Sequence, residues 1–435
     1  MITVLTPSAA SVKSIGEDYL ELEVRGKSER YQWRSENGSS VPSKLLLIDD
    51  TCTADNALKL ARSGTSLLWT GDFQNARHLL QAMSRRLDKR SKLRPGTKNK
   101  VAVSRQDSHQ DSHQDSHQDS QNLSSNDISL AKTFEAFRED QKSRAQLLGK
   151  LLIPINADHK IELKRAPDIT LASAQAYGAD IAAYIVSLRE IQGVISAFEW
   201  RKKGVNIDLS ALGISPFKLT PHFGVFSPIR GEYLKLLATT PLPKCVQSNS
   251  CALDIGTGTG VLAIILALRG VQKVIATDQS PRAIACALAN VQAHNLESKI
   301  TVLATDLFPL DTQTKQPIKA ALIVCNPPWL PGPSSGALDS AVFDPQSQML
   351  KGFLSGLGKH LLDQGQGWLI LSDLAEHLGL RTRAELMQWI EDAGLQVLGR
   401  VDVRPEHKKA NDVADPFYKA RSLELTSLWR LGIKA

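Results

Sequence analysis

The sequence has few cysteines and no long apolar run. Five cysteines occur in 435 residues, and no two are spaced as Cys-x-x-Cys. Cysteines in apolar segments behave as small hydrophobic side chains, so we expect buried free thiols and neither a disulfide framework nor a metal site. The longest apolar run, Val261–Leu268, is far shorter than the roughly 20 residues that cross a bilayer. The first residues also lack the pattern of a secretory signal, and we expect a cytoplasmic protein without a membrane span.

The excess positive charge of the chain is confined to one stretch. The formal net charge is +7, and the stretch from Arg77 to Arg105 holds ten Lys or Arg against one acidic residue, Asp88. Residues 251–435 hold 18 basic and 18 acidic residues, so the C-terminal part is neutral. A basic stripe can attract a polyanion, although most charge runs are solvated helix ends and linkers. The stripe is therefore a candidate contact for nucleic acid.

Length and patterning predict several domains, because single cores stop growing at about 250 to 300 residues. Residues 1–100 combine strand-like runs with a helical pattern that begins after Asp72, a suitable N-cap, which indicates a small α/β unit. Residues 129–215 have apolar residues at helical spacing, which predicts a helical region of two or three helices, interrupted near Pro154 and Pro167.

Between these regions, residues 101–128 are predicted to be a disordered linker. They contain a repeat of Gln-Asp-Ser-His in which nothing is apolar, so the repeat cannot offset its own ordering entropy. His109, His113 and His117 lie four residues apart, a spacing that can hold a metal on a helix. Because nothing apolar would hold such a helix together, we interpret the repeat as a solvated linker and predict no metal.

After Pro243 the pattern alternates between strand and helix, which predicts an α/β fold with a parallel sheet and helices on both faces. Two strand-like runs at the end have no long helix between them and should pair antiparallel at a sheet edge. The predicted strands are 251–255, 273–277, 300–304, 321–325, 368–372, 396–403 and 423–431. The predicted helices are 259–268, 281–294, 346–362 and 382–393.

A glycine turn and two carboxylates follow the first three of these strands. The motif Asp-x-Gly-x-Gly-x-Gly at residues 254–260 stands between a strand and a helix, where a tight turn needs residues without a Cβ. The next two strands end at Asp278 and Asp306. Each feature alone is compatible with a cap or a packing turn. Together they place acceptors along the carboxyl edge of the sheet, where open α/β folds bind ligands.

With these residues the sequence resembles the class I S-adenosylmethionine-dependent methyltransferases over roughly residues 220–431. The resemblance implies a Rossmann-like seven-stranded sheet, a methyltransferase domain over residues 216–435, and S-adenosyl-L-methionine as cofactor. It implies that the glycine turn passes beneath the methionine part of the cofactor, and that Asp254 orients the turn or receives the cofactor's ammonium through water. Carried over, it assigns the turn to Gly256, Gly258 and Gly260, the ribose to Asp278 and the adenine to Asp306.

A rigid tetrapeptide, Asn-Pro-Pro-Trp at residues 326–329, follows the fourth predicted strand. Its prolines fix the chain, so the Asn326 side chain and the Pro327 carbonyl can accept the two N–H groups of a planar amide or amine. Trp329 can stack on that planar group. Methyl transfer needs alignment more than a strong base, and no metal is implied. The predicted catalytic residues are Asn326, Pro327, Pro328 and Trp329.

The tetrapeptide resembles that of N-methyltransferases acting on glutamine side chains or on adenine or guanine amines, among them the methyltransferase small-domain family. Most of the glutamine and ribosomal guanine enzymes have Tyr or Phe where this chain has Trp329, a departure that concerns the substrate. Residues 223–233 resemble the segment that closes over the cofactor in release-factor glutamine methyltransferases, which makes Phe226, Pro228 and Glu232 candidate contacts. His377 is a further candidate, although a lone histidine is more often structural.

Three hypotheses remain open at this point. The first is a methyltransferase for protein glutamine, acting on a substrate such as a translation factor or a ribosomal protein. The second is an RNA or DNA base methyltransferase in which the stripe from Arg77 to Arg105 contacts phosphates. The third is a non-catalytic module that has kept the fold and binds a ribosome or another assembly.

Overall fold

The computed structural model describes residues 10–14, 18–24, 27–93, 125–179, 181–228, 231–247, 250–334, 336–406 and 412–434. Two seven-stranded sheets organise these residues, one in each half of the chain. The Gln-Asp-Ser-His repeat with its three histidines lies outside the described residues, as does most of the predicted linker; the following helix begins at Ser125.

The N-terminal half contains seven strands and five helices within the described residues. The strands are β1 Ala10–Ser14, β2 Tyr19–Val24, β3 Lys27–Trp33, β4 Leu45–Ile48, β5 Ser66–Trp69, β6 Leu151–Ile155 and β7 Tyr184–Ser187. The helices are α1 Ala54–Arg62, α2 Phe73–Leu93, α3 Ser125–Leu148, α4 Thr170–Tyr177 and α5 Leu188–Lys203. Asp72 caps α2 as predicted, because its Oδ1 accepts the backbone N–H of Gln74 at 2.8 Å.

The N-terminal sheet takes strands from both sides of the predicted linker, in the order β1-β2-β3-β7-β6-β5-β4. Regions 1–100 and 129–215 therefore share one sheet and one core. Three helices, α3, α4 and α5, lie largely within residues 129–215 as predicted. The structure corrects the prediction of a purely helical region, because β6 and β7 also lie there and are almost completely buried. A short strand that is buried on both faces is a continuous apolar run, which periodicity cannot distinguish from the buried face of a helix.

The C-terminal half builds the predicted seven-stranded sheet and confirms the Rossmann-like α/β fold. The sheet has the order β12-β11-β10-β13-β16-β18-β17, in which the first five strands are parallel and β18 is antiparallel to both of its neighbours. Its strands are β10 Cys251–Ile255, β11 Lys273–Asp278, β12 Ile300–Ala304, β13 Ala320–Cys325, β16 Leu361–Ser372, β17 Leu395–Val403 and β18 Thr426–Ile433.

Helices and short strands surround this sheet. The helices are α6 Glu232–Thr239, α7 Val261–Leu268, α8 Pro281–Ala293, α9 Ala337–Ser340, α10 Gln348–His360, α11 Leu374–His377, α12 Arg383–Asp392 and α13 Tyr418–Leu423. The short strands are β8 Val205–Leu209, β9 Ile214–Leu219, β14 Leu330–Pro331 and β15 Phe343–Asp344. The hairpin of β8 and β9 packs in the same hydrophobic cluster as α7, so the C-terminal core includes residues before the predicted boundary at 216.

Two strand starts differ from the prediction by three or more residues, and the other strand boundaries differ by at most two. β16 begins at Leu361, whereas the predicted start was residue 368. The prediction was wrong because Asp363, Gln364 and Gly365 have the composition of a turn, although they continue the strand. Leu423 ends α13, and the last strand begins only at Thr426.

In the described ranges no helix is long and apolar enough to cross a membrane. All five cysteines are free; Cys286 and Cys325 are buried, as expected, whereas the other three are only partly buried. Among the same residues, no group of three or more His, Cys, Asp or Glu side chains is arranged to hold a metal.

Candidate active site

The glycine turn lies between β10 and α7. The backbone φ is +71° at Gly256, +55° at Gly258 and +83° at Gly260, and residues with a Cβ are strained in this region. A Cβ on Gly256 would also lie 2.4 Å from Cε of Met349 in α10. The turn therefore needs glycine for its backbone conformation, and at Gly256 a Cβ would also displace the flexible end of the Met349 side chain.

Asp254 is fully buried near the end of β10. Its Oδ2 accepts hydrogen bonds from Thr257 Oγ1 at 2.6 Å and from the backbone N–H of Ala263 at 3.1 Å, which ties the turn to the start of α7. Its Oδ1 is buried and has no hydrogen-bond partner among the described residues. Burial raises the pKa of the Asp254 carboxyl to about 6, and the charge of Asp278 acts in the same direction. A buried acceptor with an open oxygen suits a donor group brought by a ligand.

Asp278 ends β11 and faces the glycine turn. Its Oδ2 accepts the backbone N–H of Gly258 at 3.0 Å, and its Oδ1 accepts the backbone N–H of Ser280 at 2.9 Å. A carboxylate offers about four lone-pair positions, so both oxygens keep the capacity to accept a ribose hydroxyl. Asp306 follows β12, and its exposed side chain lines the same cavity.

A cavity of about 500 Å³ lies at this edge of the sheet. Its wall contains a large part of the predicted site: Phe226, Gly256, Gly258, Asp278, Asp306, Asn326 and Pro328. Four predicted residues are not part of the wall: Asp254, Gly260, Pro327 and Trp329. Asp278, Asp306 and Asp344 line the cavity, whereas no lysine or arginine of the described chain does. This acidic wall favours a cationic ligand.

An internal hydrogen bond closes the tetrapeptide 326–329. Trp329 donates its indole Nε1–H to Asn326 Oδ1 at 2.9 Å. The indole also packs against two hydrophobic clusters of the C-terminal half. Trp329 therefore orients the Asn326 amide. The sequence analysis had predicted a different role for this side chain, stacking on the planar group of the substrate. Asn326 Oδ1 has two lone pairs, so one remains to accept a hydrogen bond from an N–H group of the methylated substrate.

The remaining sequence candidates lie beside the cavity. Pro228 and Glu232 are buried but are not part of its wall. Nε2 of His377 lies 3.4 Å from Asp373 Oδ2, and this neighbouring carboxylate raises the pKa of the imidazole. His377 does not line the cavity either, which supports its structural interpretation.

Sequence reasoning missed the segment that follows the tetrapeptide, which we call the flap and define as residues 332–334 and 336–344. The flap contains α9 and ends in β15, which pairs in parallel with β14. It contributes Ser334, Ser340, Ala341, Phe343 and Asp344 to the cavity wall. Asp344 is buried and caps α10, because its carboxylate oxygens accept the backbone N–H groups of Met349 and Leu350, each at 3.0 Å.

Asn290 is a second residue that the sequence analysis missed. It lies fully buried in α8, where its Nδ2 donates to the carbonyl of Thr259 at 3.0 Å and its Oδ1 accepts the backbone N–H of Thr220 at 2.8 Å. Asn290 thus connects the glycine turn to the segment that leads to Phe226. The available signal was an asparagine within a helix, where this residue is unfavourable unless its amide has partners.

The residues present fit S-adenosyl-L-methionine. Its sulfonium and ammonium groups are cations, for which the carboxylates of the cavity wall provide complementary charge. The glycine turn lets the backbone approach a ligand, and Asp278 has free acceptor capacity. The individual roles that the resemblance implies for these residues stay predictions.

We expect Asp254→Asn to stabilise the protein at pH 8 and to weaken its binding of S-adenosylmethionine. Because the folded-state pKa lies above that of an unfolded aspartate, the folded protein holds an extra proton between about pH 4 and pH 6, and its stability falls as the pH rises through this window. The loss is on the order of 3 kcal/mol above pH 6, and an amide does not incur it. Thermal melts from pH 4 to pH 8 and calorimetric titration with the cofactor measure both effects.

The exposed Asp363 supplies the control, Asp363→Asn, which should keep the pH dependence and the cofactor affinity of the parent chain. An Asp254→Asn variant whose melting temperature follows the parent profile at every pH would contradict the assignment of this ionisation to Asp254.

Comparison with known proteins gives the same family as the motifs. Residues 217–372 match the methyltransferase small domain. The chain is 41% identical over 87 residues to the ribosomal protein L11 methyltransferase of Carboxydothermus hydrogenoformans, which covers 20% of this chain and 28% of that protein. It is 38% identical over 87 residues to the release factor glutamine methyltransferase of Cereibacter sphaeroides, with 20% and 30% covered. It is 38% identical over 84 residues to the tRNA1(Val) (adenine(37)-N6)-methyltransferase of Bacteroides fragilis, with 19% and 35% covered.

The chain thus spans about a third or less of the length of these three relatives. The match to the family begins within β9 and ends with the last residue of β16, and it includes the glycine turn, both carboxylates and the tetrapeptide. The resemblance inferred from the sequence is confirmed for this segment. Residues 217–372 match the methyltransferase small domain, and this segment forms part of a Rossmann-like seven-stranded sheet.

Proposed function

We propose that the C-terminal domain transfers a methyl group from S-adenosyl-L-methionine to the side-chain amide nitrogen of a glutamine in a protein. The observation that carries this proposal is the position of Asn326 in the wall of an acidic cavity, with its Oδ1 oriented by Trp329. The nitrogen lone pair of an amide is delocalised, so the nitrogen must be held in alignment to react. Asn326 Oδ1 and the Pro327 carbonyl would accept its two N–H groups.

S-adenosylmethionine supplies a methyl group that its sulfonium already activates, so the protein has to supply alignment rather than a strong base. Asn326 Oδ1 and the Pro327 carbonyl would hold the acceptor nitrogen in line with the methyl carbon, the bound cofactor would supply that carbon with the sulfur as leaving group, and one N–H proton would pass to water. The acidic wall places negative charge around the reacting groups before transfer.

Two of the three relatives support a protein acceptor. One is named for ribosomal protein L11 and one for release-factor glutamine. The neutral charge of residues 251–435 agrees with this choice, because an enzyme that acts on nucleic acid commonly presents a basic surface. A translation factor or a ribosomal protein is the acceptor class we propose.

Incubation of the protein with a cell extract and S-adenosylmethionine labelled on its methyl group tests the proposal. We expect macromolecular label that protease removes and nuclease leaves, and labelled N5-methylglutamine after enzymatic digestion of the protein fraction. Label that survives protease in macromolecular form would exclude a protein acceptor. If calorimetry detects no cofactor binding, the third hypothesis, a non-catalytic module, replaces both enzymatic ones.

A base amine of a nucleic acid is the second candidate, because one surface favours it. Helix α5 ends in Trp200, Arg201, Lys202 and Lys203, and Trp200 is 48% exposed with Lys203 Nζ 5.8 Å from its ring centroid. Exposed aromatic and cationic side chains together are typical of base stacking and phosphate contact.

Burial, together with the charge of Arg201, lowers the pKa of His222 to about 4, and His222 lies two residues before Gly224 in the cavity wall.

The basic stripe gives this second candidate less support. Arg86 is paired with Asp55, and residues 94–105 lie outside the described part of the chain. One named relative acts on a tRNA adenine. Nuclease-sensitive label and a steep decrease of binding with salt would support the nucleic-acid candidate, and a flat salt response would count against it.

A further inference from the structure

Helix α3 contacts both halves of the chain. Near its end Leu148 belongs to the hydrophobic core of the N-terminal sheet, and Arg144 pairs with Asp88 of α2. Nearer its start, Phe134 is buried against Phe417 of the C-terminal half, with ring centroids 5.2 Å apart. The helix is therefore fixed to the N-terminal core at one end and to the C-terminal half at the other.

Arg138 lies one helical turn after Phe134 and contacts the flap twice. Its Nη2 is 3.0 Å from Asp339 Oδ2, and its Cζ lies 3.7 Å from the centroid of the Phe343 ring. Phe343 is 7% exposed and lines the cavity. A cation from the N-terminal half thus stacks on an aromatic ring that lines the cavity, whereas Trp329 does not line it.

The N-terminal half approaches the cavity at a second place. Arg282, in the first turn of α8, donates to both carboxylate oxygens of Glu36, and the Nη2 contact measures 2.8 Å. The carbonyl of Glu36 lies beside Gly336 in the flap, 3.8 Å from the place a Cβ would take. Residues of the N-terminal half therefore lie against the flap at Gly336, at Asp339 and at Phe343.

The cofactor side of the cavity is not held by helix α3. Hydrogen bonds among residues of β10, β11, α7 and the start of α8 hold the glycine turn, Asp254 and Asp278. A change in α3 should therefore alter the flap without altering the cofactor contacts.

We propose that Arg138 is a positioning residue that holds the flap and thereby sets the shape of the acceptor half of the cavity. The N-terminal half acts on acceptor binding through this side chain. The inferred effect of the flap on binding of the methyl acceptor rests on the proposed function, because it assumes that the acceptor binds on the flap side of the cavity. The hold of Arg138 on the flap rests on the contacts alone.

Hydrogen exchange on the full-length protein tests the hold on the flap. In Arg138→Ala we expect the amides of residues 336–344 to exchange about three- to tenfold faster, because the ion pair and the cation–π contact are lost together. Arg138→Lys keeps a cation near Asp339 but loses the planar stack, and it should give an intermediate rate. Lys142→Ala is the matched control, because Lys142 is an exposed cation on the same helix with no ion pair among the described residues. It should leave the exchange rate unchanged.

Kinetics with the labelled fraction of the extract test the effect on the acceptor. In Arg138→Ala the apparent KM for that fraction should rise about three- to tenfold, while kcat and the calorimetric Kd for S-adenosylmethionine stay within about twofold. Unchanged exchange in the flap overturns the proposal, and so does faster exchange with an unchanged KM. If the parent chain labels nothing, the proposed function fails, and the exchange rates alone then decide whether Arg138 holds the flap.

Discussion

Asn326→Ala should reduce methyl transfer by at least about 1,000-fold and leave the affinity for S-adenosylmethionine within about threefold of the parent chain. The alanine removes an acceptor for a substrate N–H and also the partner of the Trp329 indole, so the planar nitrogen is no longer held toward the methyl group. The initial rate of labelling of the extract measures the first effect, and calorimetric titration measures the second.

Two further variants grade this result. Asn326→Asp keeps an oxygen that can accept the Trp329 N–H and should retain part of the activity, whereas Asn206→Ala removes an exposed asparagine from β8 and should behave as the parent chain. Full labelling by Asn326→Ala would show that the tetrapeptide is not the reaction site.

Asp278→Ala should weaken S-adenosylmethionine binding by at least about 100-fold, because this carboxylate accepts two backbone N–H groups and is the ribose acceptor that the resemblance implies. Without it, Gly258 N–H loses its partner and the glycine turn is no longer tied to β11 by this side chain. Calorimetry measures the affinity. Labelling should recover in part when the cofactor concentration is raised, since Asn326 is unchanged.

The matched control is Asp311→Ala. Asp311 also accepts two backbone N–H groups, those of Gln313 and Thr314, but it lies in an exposed turn that does not line the cavity. Cofactor affinity should be unaffected in that variant. An Asp278→Ala protein that binds as tightly as the Asp311→Ala protein would show that the ligand does not depend on the Asp278 carboxylate.

The C-terminal sheet was predictable because its central strands are short apolar runs and the segments that flank them are not. All six residues of β13 are buried and apolar, and the two prolines of the tetrapeptide 326–329 end the strand directly after them. β6 and β7 are buried to a similar degree, yet they lie in a region where apolar residues also recur at helical spacing. Sequence periodicity cannot resolve that conflict, since only the pairing between β6 and β7 decides it.

The candidate site was predictable where its residues follow strand ends in register. Asp278 and Asn326 could be placed because each directly follows or ends a parallel strand, and parallel strands share one carboxyl edge. The flap contact of Arg138 could not, because 201 residues separate it from Asp339 and no local pattern connects them. The role of Trp329 changed for a related reason, since the direction of its indole depends on the core against which it packs.

The order of the last two strands has a consequence for how the nascent chain folds. β18 lies between β16 and β17, so β17 pairs only with a strand that is synthesised after it. Until residue 433 has left the ribosome, the outer edge of β16 has no partner strand and β17 has no sheet to join. An unpaired strand edge next to apolar surface is prone to wrong pairing. The interval before β18 emerges is therefore when this domain most needs protection from aggregation.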